Sequence, residues 1–316
     1  MLVNFNGEIL SSGNVTPVSV FDRSYLYGDS LYEVVRTFDG EPVHLQEHLD
    51  RLFASAILCS MEIGQSRETL IQEIRRSVEL FRRLPGCESR EAYVRLVISR
   101  GVGKIGFGLS NLLTPTQYCL IVQPLEAPST ETFERGVHLG ISKRMRNDAR
   151  ALDPAMKSGN YLNSLLAYLE TTTPQSSGLP PIEDALLLDR FGFVTEGTTF
   201  NVFYVKKGIV VTSPLDIGIL AGITRQFTLE NAKSLGIPAR EVRFTPQHLK
   251  EADEVFLTST TKDVLTVSRI DGQVIGQGKV GPITRKLKAA FVARIPEFIQ
   301  SARTIGATPA SRRNPT

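Results

Sequence analysis

Midway along the chain, residues 124–134 read PLEAPSTETFE, a stretch that collects Pro, Ser, Thr and Glu and has the composition of a linker. Segments with strand and helix periodicity lie on both sides of it, so two separately cored units are expected. At 316 residues the chain also exceeds the usual size of one domain. The expected plan is a smaller N-terminal α/β domain over residues 1–124, a linker over 125–135, a larger C-terminal domain over 136–300 and a disordered tail over 301–316. The fold class is α+β.

Within the first unit, residues 2–21 alternate apolar and polar around Gly7 and Gly13, which predicts a meander of strands. Asp39-Gly40 lies between two strand-like runs in YEVVRTFDGEPVHL, a strong hairpin signal. The apolar stripe Leu49, Leu52, Phe53 and Ala56 predicts a helix, another helix is expected over residues 67–84, and AYVRLVISR and YCLIVQP read as strands. In the second unit a strand starts near Gly136 and SGNYLNSLLA reads as the start of an amphipathic helix. Residues 183–214 read as strands joined by Gly turns, followed by a helix over residues 223–235 and the strand DEVFLTST. A hairpin at Asp271-Gly272 and a helix over residues 280–293 end the fold. The tail SARTIGATPASRRNPT lacks periodic apolar residues and is expected to be disordered.

Composition excludes several classes of function. A chain 41% hydrophobic and 22% charged is an ordinary soluble globular protein. The net charge of +3 comes from 36 basic and 33 acidic residues that are scattered, with no basic block to track a phosphate backbone, so nucleic acid is not an expected partner. Cys59, Cys87 and Cys119 are odd in number and lack metal-type spacing, which fits a reducing cytoplasm. No segment approaches 18 apolar residues and the N-terminus lacks a basic start, so neither a membrane span nor a signal peptide is expected.

Three motifs fail on context. GVGKIG, residues 101–106, has the dinucleotide spacing, but Pro115 and the absence of a helical stripe leave no helix N-terminus for a pyrophosphate. His44 and His48 are four apart, yet His44 reads as part of the hairpin's second strand and no third ligand sits at a matching offset, so no metal is expected. Ser259 and Lys262 in STTK fit S-x-x-K, with SGN at 158–160 as a second element. The order is reversed and no K-T-G follows, which leaves a serine acyl-transferring enzyme as a remote alternative.

Other features suit one ligand, an anionic ring. Lys157 is a flexible cation between a Pro-containing turn and a helix start. Arg51 lies on a helix, and LAGITR, residues 220–225, opens another, so the N–H groups of Ile223 and Thr224 with the Thr224 hydroxyl form an anion site. TSTT, residues 258–261, offers a second nest of amides and hydroxyls. Glu196, in FVTEGTTFNVF, is a carboxylate in an apolar strand environment, where it needs a cationic partner.

In order and spacing, FDRSYLYGDSLYEVVRTFDG, EHLDRLFASA, KSGNYLNSLLA, VTEGTTFNVF, LAGITR, EVFLTSTTKDV and GKVGPITRKL resemble the fold-type IV pyridoxal-phosphate enzymes, from about Phe5 to Phe291. That class holds branched-chain aminotransferases, D-amino acid aminotransferases and aminodeoxychorismate lyases. The resemblance implies a two-domain fold whose larger domain has a β-barrel-like core, and pyridoxal 5'-phosphate as cofactor. It implies that Lys157 carries the Schiff base to the cofactor; an interfacial lysine loses solvation, which disfavours its charged form and makes it nucleophilic. Arg51 is then implied to clamp the phosphate with Ile223, Thr224 and Thr260, Leu220 to contact the cofactor, and Glu196 to hold the pyridine nitrogen protonated. Tyr161 matches a tyrosine that bonds the ring hydroxyl in the branched-chain enzymes, with a spacing from Lys157 one residue shorter here. Tyr32, Arg36, Arg95, Thr260 and Thr261 match positions near the substrate. The implied reaction moves an amino group from an amino acid, of which L-branched-chain is favoured, to a 2-oxo acid, with D-amino acid transamination and aminodeoxychorismate cleavage as alternatives. A homodimer is implied as well.

Overall fold

The computed structural model describes residues 1–10, 17–173 and 180–305. Its first half is an antiparallel sheet of six strands, β1 (Leu2–Phe5), β2 (Glu8–Leu10), β3 (Ser30–Phe38), β4 (Glu41–Pro42), β5 (Ala92–Ser99) and β6 (Gln117–Pro124), in the order β2-β1-β6-β5-β3-β4. Asp39 and Gly40 both take positive φ, 51° and 72°, as the tight β3–β4 hairpin requires. On β5, Ala92, Val94, Leu96 and Ile98 are buried while Tyr93, Arg95 and Val97 are half-buried, so one face enters a core and the other looks across the molecule. That core is closed by α2 (Leu45–Leu58) and α3 (Arg67–Arg82), whose Leu49, Leu52, Ile74 and Phe81 pack on Leu31, Val35, Val94 and Leu96.

Several expectations for this half are corrected. Among the described residues, the part of the meander expected over 2–21 that forms strands is the β1–β2 hairpin; residues 11–16, Gly13 among them, lie outside the described residues, and residues 17–21 form no strand. A short helix, α1 (Arg23–Tyr27), follows, capped by the Asp22 carboxylate accepting from Ser24 N and closed by Gly28 at φ 67°. His44 is not in a strand: pairing ends at Pro42, and His44 caps α2 in the left-handed region at φ 59°. Its ring packs between Phe227 and Phe298, with centroids 4.4 Å and 4.3 Å away. The GVGKIG segment leads into a three-residue 3-10 turn rather than a helix.

After α4 (Thr130–Arg135) the second half builds a nine-stranded sheet. Its strands are β7 (Val137–Met145), β8 (Asp184–Leu188), β9 (Val194–Gly197), β10 (Asn201–Lys206), β11 (Ile209–Thr212), β12 (Ala239–Glu241), β13 (Glu254–Ser259), β14 (Asp263–Ile270) and β15 (Gln273–Val274). The path runs β12-β11-β10-β13-β14-β7-β8-β9, with β15 on β14. Since β9 turns directly into β10 and Gly197 N–H bonds the Phe200 carbonyl, the end of the path curls back on its middle and the sheet forms a half-barrel. β10 is buried on both faces, which explains its unbroken apolar run: Phe203 and Val205 meet Phe256 and Leu287, whereas Val202 and Tyr204 meet Phe244 and Leu249. Covering helices are α5 (Leu162–Thr172), α6 (Ile223–Ser234), α7 (Pro246–Lys250) and α8 (Pro282–Ala293). The N-terminus of α8 is capped by the buried Glu254 carboxylate, which accepts from Ile283 N at 3.0 Å and Thr284 N at 2.7 Å.

The chain does not stop at α8. A further helix, α9 (Ile295–Thr304), has Pro296 in its first turn and buries Phe298 and Ala302 against Val43 and Phe291. Residues 301–304, expected to be disordered, are therefore helical, and residues 306–316 lie outside the described residues. Among the described residues no helix is long and apolar enough to cross a membrane.

Candidate active site

Between the two sheets lies a cavity holding about 760 Å³ of empty space, its open mouth included. Lys157 lines it from ahead of a helix, as expected, but that helix starts later than SGNYLNSLLA suggests. The helix begins at Leu162, and Lys157 precedes it in an extended segment bonded to the first sheet. Tyr32 N–H donates to the Lys157 carbonyl at 3.0 Å and Ser158 bridges Leu31 of β3. Ser55 Oγ, on α2, accepts from Lys157 N at 3.2 Å. These bonds replace the helical ones the segment would otherwise make. Gly159 permits the approach, because a Cβ there would stand 2.2 Å from Ser30 Oγ.

The Lys157 side chain runs beneath Tyr32: its Nζ donates to Tyr32 Oη at 3.3 Å and sits 4.5 Å from the ring centroid. Tyr32 in turn donates to the Tyr161 hydroxyl, the two rings meeting edge to face at 5.4 Å. Arg95 stacks 3.9 Å over the Tyr32 ring, as expected for diagonal neighbours on one face of the β3–β5 pair. Burial pulls the Lys157 pKa down to about 8, with the Arg51 charge acting in the same direction and Glu33 and Glu196 opposing. Burial also raises the pKa values of both tyrosines, so the pair stays protonated.

At one end of the cavity stands Glu196 on β9, whose cationic partner is Arg146. Glu196 Oε1 accepts from Arg146 Nε at 3.0 Å and Nη2 at 2.9 Å, and Oε2 accepts from Leu220 N at 3.1 Å and Asn201 Nδ2 at 3.4 Å. Burial pushes this carboxyl up, and Arg146 and the Leu220 N–H draw it back. Elsewhere in the cavity wall the donors gather. α6 starts at Ile223 with Gly222 as N-cap and no side chain on its first N–H groups. A Cβ on Gly222 would meet Asn201 Oδ1 at 2.1 Å, so the backbone must stay bare. Thr258 Oγ1 is buried with no partner among the described residues, and Arg51 reaches in from α2, where Nη1 donates to the Ala221 carbonyl at 2.9 Å. Bare helix amides, a spare hydroxyl and a guanidinium suit a phosphate; Glu196 suits a ring N–H; Lys157 suits an aldehyde. The residues present therefore fit pyridoxal phosphate.

Of the positions expected from sequence, Arg51, Lys157, Tyr161, Glu196, Leu220, Ile223, Thr224 and Thr260 line one cavity, Tyr32 adjoins Lys157, and Arg95 stacks on Tyr32. Two stand apart. Arg36 is engaged by Asp263 of β14, 2.7 Å away and buried, and Thr261 faces a separate hollow with Lys262 and Asp184. The S-x-x-K pair has no working geometry, because Lys262 Nζ is held by Asp184 at 3.4 Å while Ser259 Oγ accepts from Lys262 N. Sequence reasoning missed Arg146, Asn201 and Glu33, took in Thr258 only as part of the TSTT nest, and weighed His48 only as a metal ligand. Arg146 is one of three arginines in RMRNDAR, and only the curl of the sheet singles it out.

Comparison with known proteins agrees with this geometry. The family model described as amino-transferase class IV matches residues 30–270. The chain is 37% identical over 291 residues to a putative branched-chain-amino-acid aminotransferase of Methanocaldococcus jannaschii, covering 92% of this chain and 95% of that one. It is 36% identical over 295 residues to a D-alanine aminotransferase of Listeria innocua, covering 93% and 96%. Among solved structures, a T.th. branched-chain amino acid aminotransferase with pyridoxamine 5'-phosphate superposes with a TM-score of 0.81 at 30% identity, covering 94% and 96%. The Escherichia coli branched-chain enzyme gives 0.78 at 31%, covering 92% and 93%.

Proposed function

The chain belongs to the class IV aminotransferases, enzymes that work with pyridoxal 5'-phosphate, and from that premise we propose that it transfers the amino group of an L-branched-chain amino acid to a 2-oxo acid. The observation that carries the reading is the secluded Lys157 amine, with a pKa near 8, in one cavity with Glu196 and the bare start of α6. When bound, the cofactor supplies an aldehyde that takes up the amino group and a protonated ring that draws electrons from the carbon being deprotonated. In this reading Lys157 Nζ accepts the proton from the substrate Cα and passes it on within the same half of the transfer, so that it ends that half free to act as base again. Tyr32 holds that amine in place, and Tyr161, bonded to Tyr32, extends the contact towards the ring hydroxyl. Glu196, paired with Arg146, grips the ring N–H, while Ile223, Thr224, Thr260 and Arg51 receive the phosphate. Arg95, stacked over Tyr32, is the cation for a substrate carboxylate.

The D-alanine aminotransferase relatives favour a second reading, transamination of D-amino acids. A panel of L- and D-amino acids with 2-oxoglutarate or pyruvate separates the two: turnover of L-leucine, L-isoleucine and L-valine is expected, and turnover of D-alanine alone overturns the branched-chain reading. The protein should be yellow, and Lys157→Ala should lose the absorbance band of the lysine imine.

A cytoplasmic homodimer completes the proposal. Support comes from three free cysteines and from the exposed apolar loop bearing Ile105, Phe107, Leu109 and Leu113, Phe107 being 80% exposed. Sedimentation should give twice the chain mass, and Phe107→Glu should shift it towards one chain.

A further inference from the structure

The Arg51 guanidinium does not hang free in the cavity. Its Nε donates to Glu33 Oε1 at 2.7 Å and its Nη2 to Glu33 Oε2 at 2.8 Å, a two-pronged pair. Glu33 projects from β3 beneath α2, is only 1% exposed, and accepts a third bond at 2.7 Å from Nδ1 of the equally buried His48. His48 and Arg51 are three residues apart on α2, so one helical face presents both groups to the same carboxylate. A buried ion pair adds little net stability compared with apolar side chains of the same volume; what it fixes is geometry. A guanidinium has five N–H groups. Glu33 takes two and the Ala221 carbonyl takes one, which leaves one on each terminal nitrogen. Ala221 immediately precedes Gly222, where the bare amides of α6 begin.

We propose that Glu33, backed by His48, is the positioning residue for Arg51: it turns the guanidinium so that its two spare N–H groups and the first amides of α6 form one phosphate seat, built half from each sheet. The proposal rests on the reading that Arg51 receives the cofactor phosphate. His48 keeps Glu33 from swinging towards solvent, and Glu33 keeps Arg51 from doing the same. Without the carboxylate the cation would still lie near the cavity, but its fork would have no fixed plane.

The test is a pair of titrations of the cofactor-free protein, one with pyridoxal 5'-phosphate and one with pyridoxal, each followed by absorbance; the ratio of the two dissociation constants measures what the phosphate seat contributes. The wild type should favour the phosphate form strongly, and Arg51→Ala should lose most of that preference. If Arg51→Ala keeps it, the reading of Arg51 fails. Glu33→Gln should cut the preference by about tenfold to a hundredfold, the usual scale for removing the partner that orients a ligating group, and leave pyridoxal binding unchanged. His48→Gln should cut it less, in the same direction. A merely structural role would weaken both ligands alike, and that result, or a folded Glu33→Gln protein with the wild-type ratio, overturns the proposal. Should Glu33→Gln fail to fold, Glu33→Asp, which keeps the charge but withdraws it by one methylene, decides by the same ratio.

Discussion

At the scale of single residues, seclusion sets what Lys157 can do. With a pKa near 8 instead of the 10.5 of an ordinary lysine, roughly a tenth of the amine is neutral at pH 7. The rate of cofactor capture should therefore rise with pH and level off just above pH 8, measured by stopped-flow absorbance. The same shift has a cost in the cofactor-free protein. Because the folded pKa is the lower one, the folded state binds fewer protons than the unfolded state between pH 8 and 10.5, so stability rises with pH across that window. Below it the full penalty applies: Lys157→Met should be more stable than wild type at pH 7, by on the order of 1–3 kcal/mol, with the gap closing by pH 10.5 in thermal melts. Arg146 makes the opposite kind of contribution. Arg146→Gln removes a charge that draws down the Glu196 carboxyl, so the acidic limb of the pH–activity profile should move to higher pH and neutral activity fall by about tenfold.

At the scale of elements, the ends of helices carry more of the fold than their lengths suggest. Glu254 caps α8 from a neighbouring strand, and Glu254→Gln, which puts an amide donor against two N–H groups, should cost about 1–3 kcal/mol in urea unfolding. This cap also shows where the sequence is legible. Helices with an apolar stripe, hairpins marked by Asp-Gly and the buried run of β10 can all be read from local pattern, and α2, α3, α6 and α8 lie close to their expected bounds. The α5 start was misplaced because bonds to β3, distant in the chain, outweigh the local preference after Lys157. α9 was missed because its apolar residues, Phe298 and Ala302, mark a helix only once Val43 and Phe291 are there to receive them. In the site, family-like motifs pointed to Lys157, Arg51 and Glu196, whereas the roles of Arg146, Glu33 and His48 emerged only in three dimensions, since no local spacing links a strand acid to a helix face.

At the scale of the whole molecule, the two sheets are joined by charge as well as by packing. Arg36 on β3 pairs with Asp263, which Lys288 also holds at 3.1 Å, directly after the turn that carries Thr260. Arg36→Met should therefore destabilise the protein by about 1–3 kcal/mol, because it leaves the buried carboxylate with Lys288 as its one remaining cation. Arg36→Met with Asp263→Asn, which keeps a residue suited to the positive φ of 53° there, should lose less than the sum of the two single changes, as a double-mutant cycle of thermal melts would reveal. A substrate role for Arg36 instead predicts a raised KM with unchanged melting. The bonds that hold Lys157 against β3 and α2 reach further than stability. A ribosome delivers residues 30–58 long before it delivers residue 157, so the place where the reactive amine will rest is made first and waits for its occupant. A polypeptide cut short of residue 157, however well its first sheet is formed, lacks the secluded amine of this cavity, which is supplied only when synthesis is near the middle of the chain.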